Sequence, residues 1–233
     1  MGGDRFTTTH LPPANPDSLV YTLGDVVFEG PWTGEEWKVS GHKTLIVEGR
    51  VEIRGRIRLS GWRIYAKGPV VVQDDAILER ADVFSQGGIM LADHASVSGQ
   101  FLSKGSISVT GQAALASPSF AAVWPGTGRD SLPRISFQDR SRAEAYVVAL
   151  GGNAEVILGG GVDFRGVAVS GGLLRNDSRL RGIGVAGRLD CGQGVMNCSF
   201  GTFDRTALPS GFAFPMGLPG NLGLRLVSWE IVR

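Results

Sequence analysis

Apolar and polar residues alternate in short bursts along most of the chain, and a turn residue closes each burst. From Thr44 the sequence reads TLIVEG, RVEIRG, RIRLSG, then WRIYAKG, PVVVQD, DAILER, then ADVFSQG, GIMLAD, HASVSG, then QFLSKG, SISVTG, QAALAS. In most of these pieces the second and fourth positions are small or apolar: Leu45/Val47, Val51/Ile53, Ile57/Leu59, Ile64/Ala66, Val70/Val72, Ala76/Leu78, Ile89/Leu91, Ala95/Val97, Ile107/Val109 and Ala113/Leu115. A period of two predicts strands with one face turned inward. Three pieces make one unit of 18 or 19 residues, and units start at Thr44, Trp62, Ala81 and Gln100.

Turn residues keep the same beat. Gly49, Gly55 and Gly61 are six apart, as are Gly87, Asp93, Gly99, Gly105 and Gly111, with Asp standing once for Gly. Both residues suit turns with unusual backbone angles. The pattern returns over 146–164 and 165–183, each 19 residues cut as seven, six and six. Between the blocks, Pro118–Ala145 is one longer unit. Its excess, WPGTGRDSLP at 124–133, reads as a loop protruding from a corner, with Trp124 at its base as a packed anchor or an exposed contact.

Two inward residues per strand, three strands per unit and turns between them describe a triangular prism. The fold class predicted is all-β: a single β-solenoid (a parallel β-helix of about eight coils, three short strands per coil) with capped ends. Coils stacked at ~4.8 Å give a rod about 40 Å long. One coil cannot fold alone, because burying its few inward side chains offsets less than ordering its backbone costs. Residues 1–16 read as a linker or cloning remnant, 17–43 as an irregular first coil and cap, and 44–200 as the solenoid with its insertion. Residues 201–233, rich in Pro and Gly, read as a second cap or a strand returning along the rod. Trp32 and Trp37 are expected to cover the open core at the first end.

Composition agrees. Gly occupies 35 of 233 positions, about twice the usual share. Only Val70–Gln86 and Arg134–Leu150 lack both Gly and Pro over 17 residues, so long helices are disfavoured. RAEAYVVAL at 142–150 is the one helix candidate. A net charge of +1 excludes a globally basic nucleic-acid binder but not a local basic patch. No apolar run approaches the ~20 residues that span a bilayer, so no membrane contact is expected of these residues.

Candidate chemistry is sparse, and each candidate has an ordinary alternative. Arg50, Arg54, Arg56, Arg58, Arg63 and Lys67 lie within 18 residues, all outward or at corners and spread over several faces. They could contact the phosphates of DNA, with Trp62 or Tyr65 stacking on bases; otherwise they are solvated surface. Arg175, Arg179, Arg181 and Arg188 form a second cluster diluted by Asp177 and Asp190. Asp74 and Asp93 are 19 apart and should stack on one corner, with Asp75 adjacent. Clustered acids serve polysaccharide-cleaving solenoids and calcium sites, but a recurring Asp turn, Asp177 included, explains them equally. His94 is outward, as the catalytic His of a hexapeptide-helix acyltransferase would be, though the glycine spacing departs from that family. Cys191 and Cys198 in CGQGVMNC could close a disulfide loop in an oxidising compartment or be two buried thiols. Three dispersed His and two Cys give no metal-ligand spacing. No cofactor is expected.

The hexads with inward aliphatics and corner glycines over 44–183 resemble bactofilins, the polymer-forming bacterial cytoskeletal β-helices. That resemblance implies a right-handed helix and self-association through coil ends. The Trp-rich 17–43 and Pro-rich 201–233 depart from it, since bactofilins carry short polar tails there. The start MGGDRFTTTHLPPANPDS and the end GFAFPMGLPGNLGLRLVSWEIVR are similar in layout to competence-associated minor pilins of type IV pili. Those proteins carry a solenoid thought to present a DNA-binding surface at a pilus tip, and the resemblance implies a membrane helix removed from the N-terminus. The expected function is therefore a non-enzymatic bacterial surface module, the passenger of a pilus-associated or envelope-anchored protein, acting in adhesion or DNA capture. Pilus or envelope proteins, and DNA or a surface glycan, are the expected partners. The alternatives are a bactofilin-like polymer in the cytoplasm and a polysaccharide-active enzyme.

Overall fold

The computed structural model describes residues 19–126 and 132–191. Among them every regular element is a strand, and every strand pairing is parallel. The first coil contains β1 (Leu19–Thr22), β2 (Val26–Glu29) and β3 (Trp37–Ser40). The second contains β4 (Thr44–Val47), β5 (Val51–Arg54) and β6 (Ile57–Ser60). The third opens with β7 (Arg63–Ala66) and β8 (Val70–Val72). From there, strands run on around one corner into the next coil: β9 (Ile77–Ser85), β11 (Ser96–Lys104), β13 (Ala114–Trp124) and β15 (Arg142–Ala149). They alternate with the short β10 (Ile89–Leu91), β12 (Ser106–Val109), β14 (Arg134–Phe137) and β16 (Glu155–Leu158). The last two, β17 (Asp163–Asn176) and β18 (Arg179–Cys191), wrap all three faces.

The prism has three faces. Face A stacks β1, β4 and β7, then the second halves of β9, β11, β13 and β15. Face B stacks β2, β5, β8, β10, β12, β14 and β16. Face C stacks β3, β6 and the first halves of the long strands. With β17 and β18 added, the result is a parallel β-solenoid of about eight coils.

All of the paired inward positions predicted from the hexads are buried. They form one continuous core, which large rings punctuate: Phe28 meets Trp62 edge-on at 5.3 Å, and Phe137 meets Phe164 at 5.5 Å. The segment RAEAYVVAL is a strand and not a helix. Its burial alternates residue by residue, because pairing with β13 and β17 on both sides overrides the helix propensity of its Ala and Glu.

The six-residue beat of Gly and Asp marks the corners. At the corner between faces B and C, Gly55, Asp74, Asp93, Gly111, Asp139 and Gly161 follow one another up the rod, all with positive φ between 58° and 86°. Gly at that angle is unstrained, and Asp is among the few other residues that tolerate it. At the corner between C and A, Gly99 has φ of 128°, and a Cβ there would lie 2.0 Å from the Ala81 carbonyl oxygen of the coil below. Stacked backbones leave no room for a side chain at that point.

Of the two tryptophans expected to cover the first end, Trp37 packs half-buried against the core. Trp32 does not, and is 59% exposed. The connection from β2 to β3 carries it outward around the corner. At the insertion, β13 ends at Trp124 and β14 starts at Arg134, so the extra residues leave from the corner between A and B. The expected cap or returning strand at 201–233, and the linker at 1–16, lie outside the described residues.

Candidate binding surface

The outer positions distinguish the three faces. On face C, Arg58 Nε donates to Glu36 of the first coil at 3.1 Å, and its Nη1 meets Glu79 of the third. On face B, Arg54 bonds Glu29 at 3.2 Å and Glu52 at 3.1 Å. Burial opposes the Arg54 charge, yet hydrogen bonds and charge from Glu29 and Glu52 outweigh it and raise its pKa. The bond to Glu36 is the largest influence on Arg58 and raises its pKa as well. Further along, Arg134 pairs with Glu155 at 2.7 Å and Arg175 with Asp190 at 3.0 Å.

Face A is different. Its central outward row is Tyr21, Ile46, Tyr65, Phe84, Leu102, Ala122, Val148, Val169 and Val185, one residue per strand in unbroken register. Every member is apolar or aromatic. Eight steps of ~4.8 Å make a spine about 38 Å long. In the upper coils the adjacent row is apolar too, with Phe120, Tyr146, Val167 and Ile183. Tyr65 and Phe84 lie 6.4 Å apart, and Phe84 and Trp124 5.9 Å apart, as tilted rings. Trp124 is thus an anchor packed on the rod. Tyr21 stays 57% exposed and Tyr65 43%. An extended apolar stripe rimmed by charge is the signature of an interaction surface.

The rim of the spine carries a polar triad. Tyr21 donates its hydroxyl to Glu48 Oε1 at 3.2 Å, and Lys67 pairs with the same carboxylate. The Lys67 bond holds the Glu48 carboxyl below its usual range. Partial desolvation, then the Glu48 bond, pushes the Tyr21 phenol up. Burial alone raises Tyr146.

The six cations of the first basic cluster point in several directions. Arg63 is on face A, opposite Asp82 at 3.6 Å. Arg54 is on B, Arg58 on C, and Arg50, Arg56 and Lys67 are at corners. Arg50 pairs with Glu52 at 3.2 Å, and Arg56 donates to the Gly34 carbonyl at 2.7 Å. They do not converge on one surface.

Asp74 and Asp93 do stack on one corner in adjacent coils. Their carboxylates are engaged by the backbone: Gly55 N donates to Asp74 at 3.1 Å, and Asp74 N to Asp93 at 3.3 Å. Gly111 N meets Asp139 in the same way at 3.0 Å. Each Asp fills a left-handed turn and ties it to the coil below. Asp75 faces outward, 4.0 Å from His94 Nδ1. Among the described residues no group of three His, Cys, Asp or Glu side chains is close enough to hold a metal ion. Cys191 ends β18, and Cys198 lies outside the described residues, as does any bridge between them.

The hexad reading singled out the inward pairs and passed over the outward residue between them, where the spine lies. The signal was there: the outward residue between the two inward ones is apolar in TLIVEG (Ile46), ADVFSQG (Phe84) and QFLSKG (Leu102), all on face A, and charged in RVEIRG (Glu52) and RIRLSG (Arg58). Comparison with protein-family models, curated proteins and solved structures gives no match.

Proposed function

We propose that this chain is a non-enzymatic bacterial surface module: a rigid rod carried by a pilus-associated or envelope-anchored protein, working in adhesion. The observation that carries this reading is the apolar spine of face A. A solenoid needs apolar residues inside, but nothing in its folding requires a whole outer row to be apolar. Faces B and C interrupt their outer rows with charged and polar residues, several in cross-coil ion pairs, which suit contact with water. Face A offers a straight, stiff apolar line suited to an apolar partner surface. Adhesion is favoured over DNA capture because most cations of the first cluster already face a carboxylate, which weakens their pull on phosphate.

The test uses beads coated with the purified chain and flowed over methyl-terminated and hydroxyl-terminated surfaces. Retention on the methyl surface is expected, with loss in a Tyr65→Glu/Leu102→Glu variant shown to be folded by circular dichroism. Equal retention of the variant would remove the spine as the adhesive element. Salt-sensitive binding to duplex DNA, unchanged in the variant, would move the reading to DNA capture.

One observation favours a bactofilin-like polymer as a second reading. Among the described residues β1, β2, β3 and β18 each pair on one side only, and open strand edges can pair with another copy. Filaments that lengthen with concentration under negative-stain electron microscopy would favour it and displace the passenger reading.

A further inference from the structure

Trp32 departs from its expected place in a way that makes a site. The segment that carries it is clamped on both sides. Gly30 N donates to the Arg54 carbonyl at 2.9 Å, Arg56 N to the Pro31 carbonyl at 3.1 Å, and Trp37 N to the Arg56 carbonyl at 3.0 Å. The Arg56 guanidinium adds its bond to Gly34. The indole is therefore held out by an ordered loop.

It stands over an open groove that Glu36, Arg56, Asp75 and Ile77 also line. Glu36 meets both Arg58 and Lys38 through Oε2, and its carboxylate lines the groove. The Asp75 carboxylate is 64% exposed. Trp32, Arg56 and Asp75 belong to three successive coils, so the groove runs along the rod for two steps of ~4.8 Å.

These parts define the ligand's chemistry. An indole face attracts the partly positive C–H edge of a ring with an apolar face. Two carboxylates accept hydroxyl hydrogens, and one guanidinium donates to hydroxyl oxygens. Glu36, Asp75 and Glu79 are matched by Arg56, Arg58 and Lys38, so no net charge favours an anionic chain over a neutral one. An apolar wall with a few convergent polar groups is the usual make-up of a small-ligand site.

We propose that this groove binds a disaccharide unit of a neutral glycan, with one hexopyranose ring stacked on Trp32 and the chain aligned with the rod. The site is separate from the spine and does not depend on the adhesive reading.

The test titrates the full chain with cellohexaose, maltohexaose and chitohexaose, using saturation-transfer NMR and calorimetry. At least one is expected to bind, with Trp32→Ala weakening it tenfold or more and Trp32→Phe restoring part of the loss. Tyr65→Glu, on the opposite side, should leave binding unchanged. Because Trp32 is outside the core, Trp32→Ala should keep the parent circular dichroism and melting point; a variant that does not is replaced by Asp75→Asn/Glu36→Gln, which should also weaken binding. No binding of any of the three up to about 10 mM, binding indifferent to these substitutions, or preference for polygalacturonate would overturn the proposal.

Discussion

The parity of β11 decides which side chains are inside the rod and which form the spine, and two adjacent substitutions test it. Phe101 is 1% exposed and pairs with Val83 below and Ala121 above. Leu102, next in sequence, points outward between Phe84 and Ala122. Removing the Phe101 ring forfeits ~1.5–3 kcal/mol of burial. The cavity adds to this, because parallel ladders hold the backbone on both sides and the small Ala121 cannot reach across. Phe101→Ala should therefore cost about 3–5 kcal/mol. Leu102→Ala, at a half-exposed position, should cost ~1 kcal/mol or less. For a chain of this size the difference corresponds to about 6–12 °C in melting temperature. Denaturant unfolding followed by far-ultraviolet circular dichroism, with the slopes compared, gives both costs. Equal costs, or a costlier Leu102→Ala, would refute the reasoning, since a slip of one residue exchanges the two faces of a strand. The spine would then be core.

Two other predictions follow from the corners and the rim. Gly99→Ala should cost at least ~3 kcal/mol, because backbone strain of ~1–3 kcal/mol at its φ is joined by collision with the Ala81 carbonyl; Gly105→Ala has a similar φ but open space and should show the strain alone. Because the folded Glu48 pKa lies below its unfolded value, its contribution is full above about pH 4.3, the ordinary Glu value, and is lost as pH falls through the lower folded value. Glu48→Gln should therefore reduce the melting-point difference between pH 6 and pH 3 at low salt, and an unchanged difference would show that the Lys67–Glu48–Tyr21 triad does not form.

The regular coils were legible because two independent periods agree. Alternation fixed the inward pairs such as Val51/Ile53, and the six-residue beat placed Gly49, Gly55 and Gly61 at the three corners of one coil. Substitution of Asp93 for Gly was readable as a turn, though not the ladder in which its carboxylate caps the amide of Asp74. That contact joins residues 19 apart and needs the coils stacked. RAEAYVVAL misleads because its composition suits either state until neighbours on both sides exist. Trp32 was misjudged from its chemistry: a large aromatic near a chain end suggests a plug, but clamps from the next coil fix the loop outward. The spine was missed because an outward position carries no folding constraint, and its meaning emerges only when the coils align.

That freedom is what gives the outer surfaces their functional weight. Apolar cross-strand neighbours also stabilise a sheet, so a ladder such as Tyr65–Phe84 could serve stability alone. Faces B and C answer this in part: in the first three coils ion pairs between coils hold their outer positions, and the outward row of face B mixes Val27, Val71, Met90 and Ile157 with Glu52, Ser108, Ser136 and Arg175. Rings left 43–57% exposed on face A retain apolar area that only a partner can remove from water. In a triangular prism, face A lies opposite the corner between B and C, where Trp32 stands. A partner along the spine and a glycan in the groove would approach from opposite sides and would not obstruct each other. Independent effects of Tyr65→Glu and Trp32→Ala, additive when combined, are what two such separated sites require.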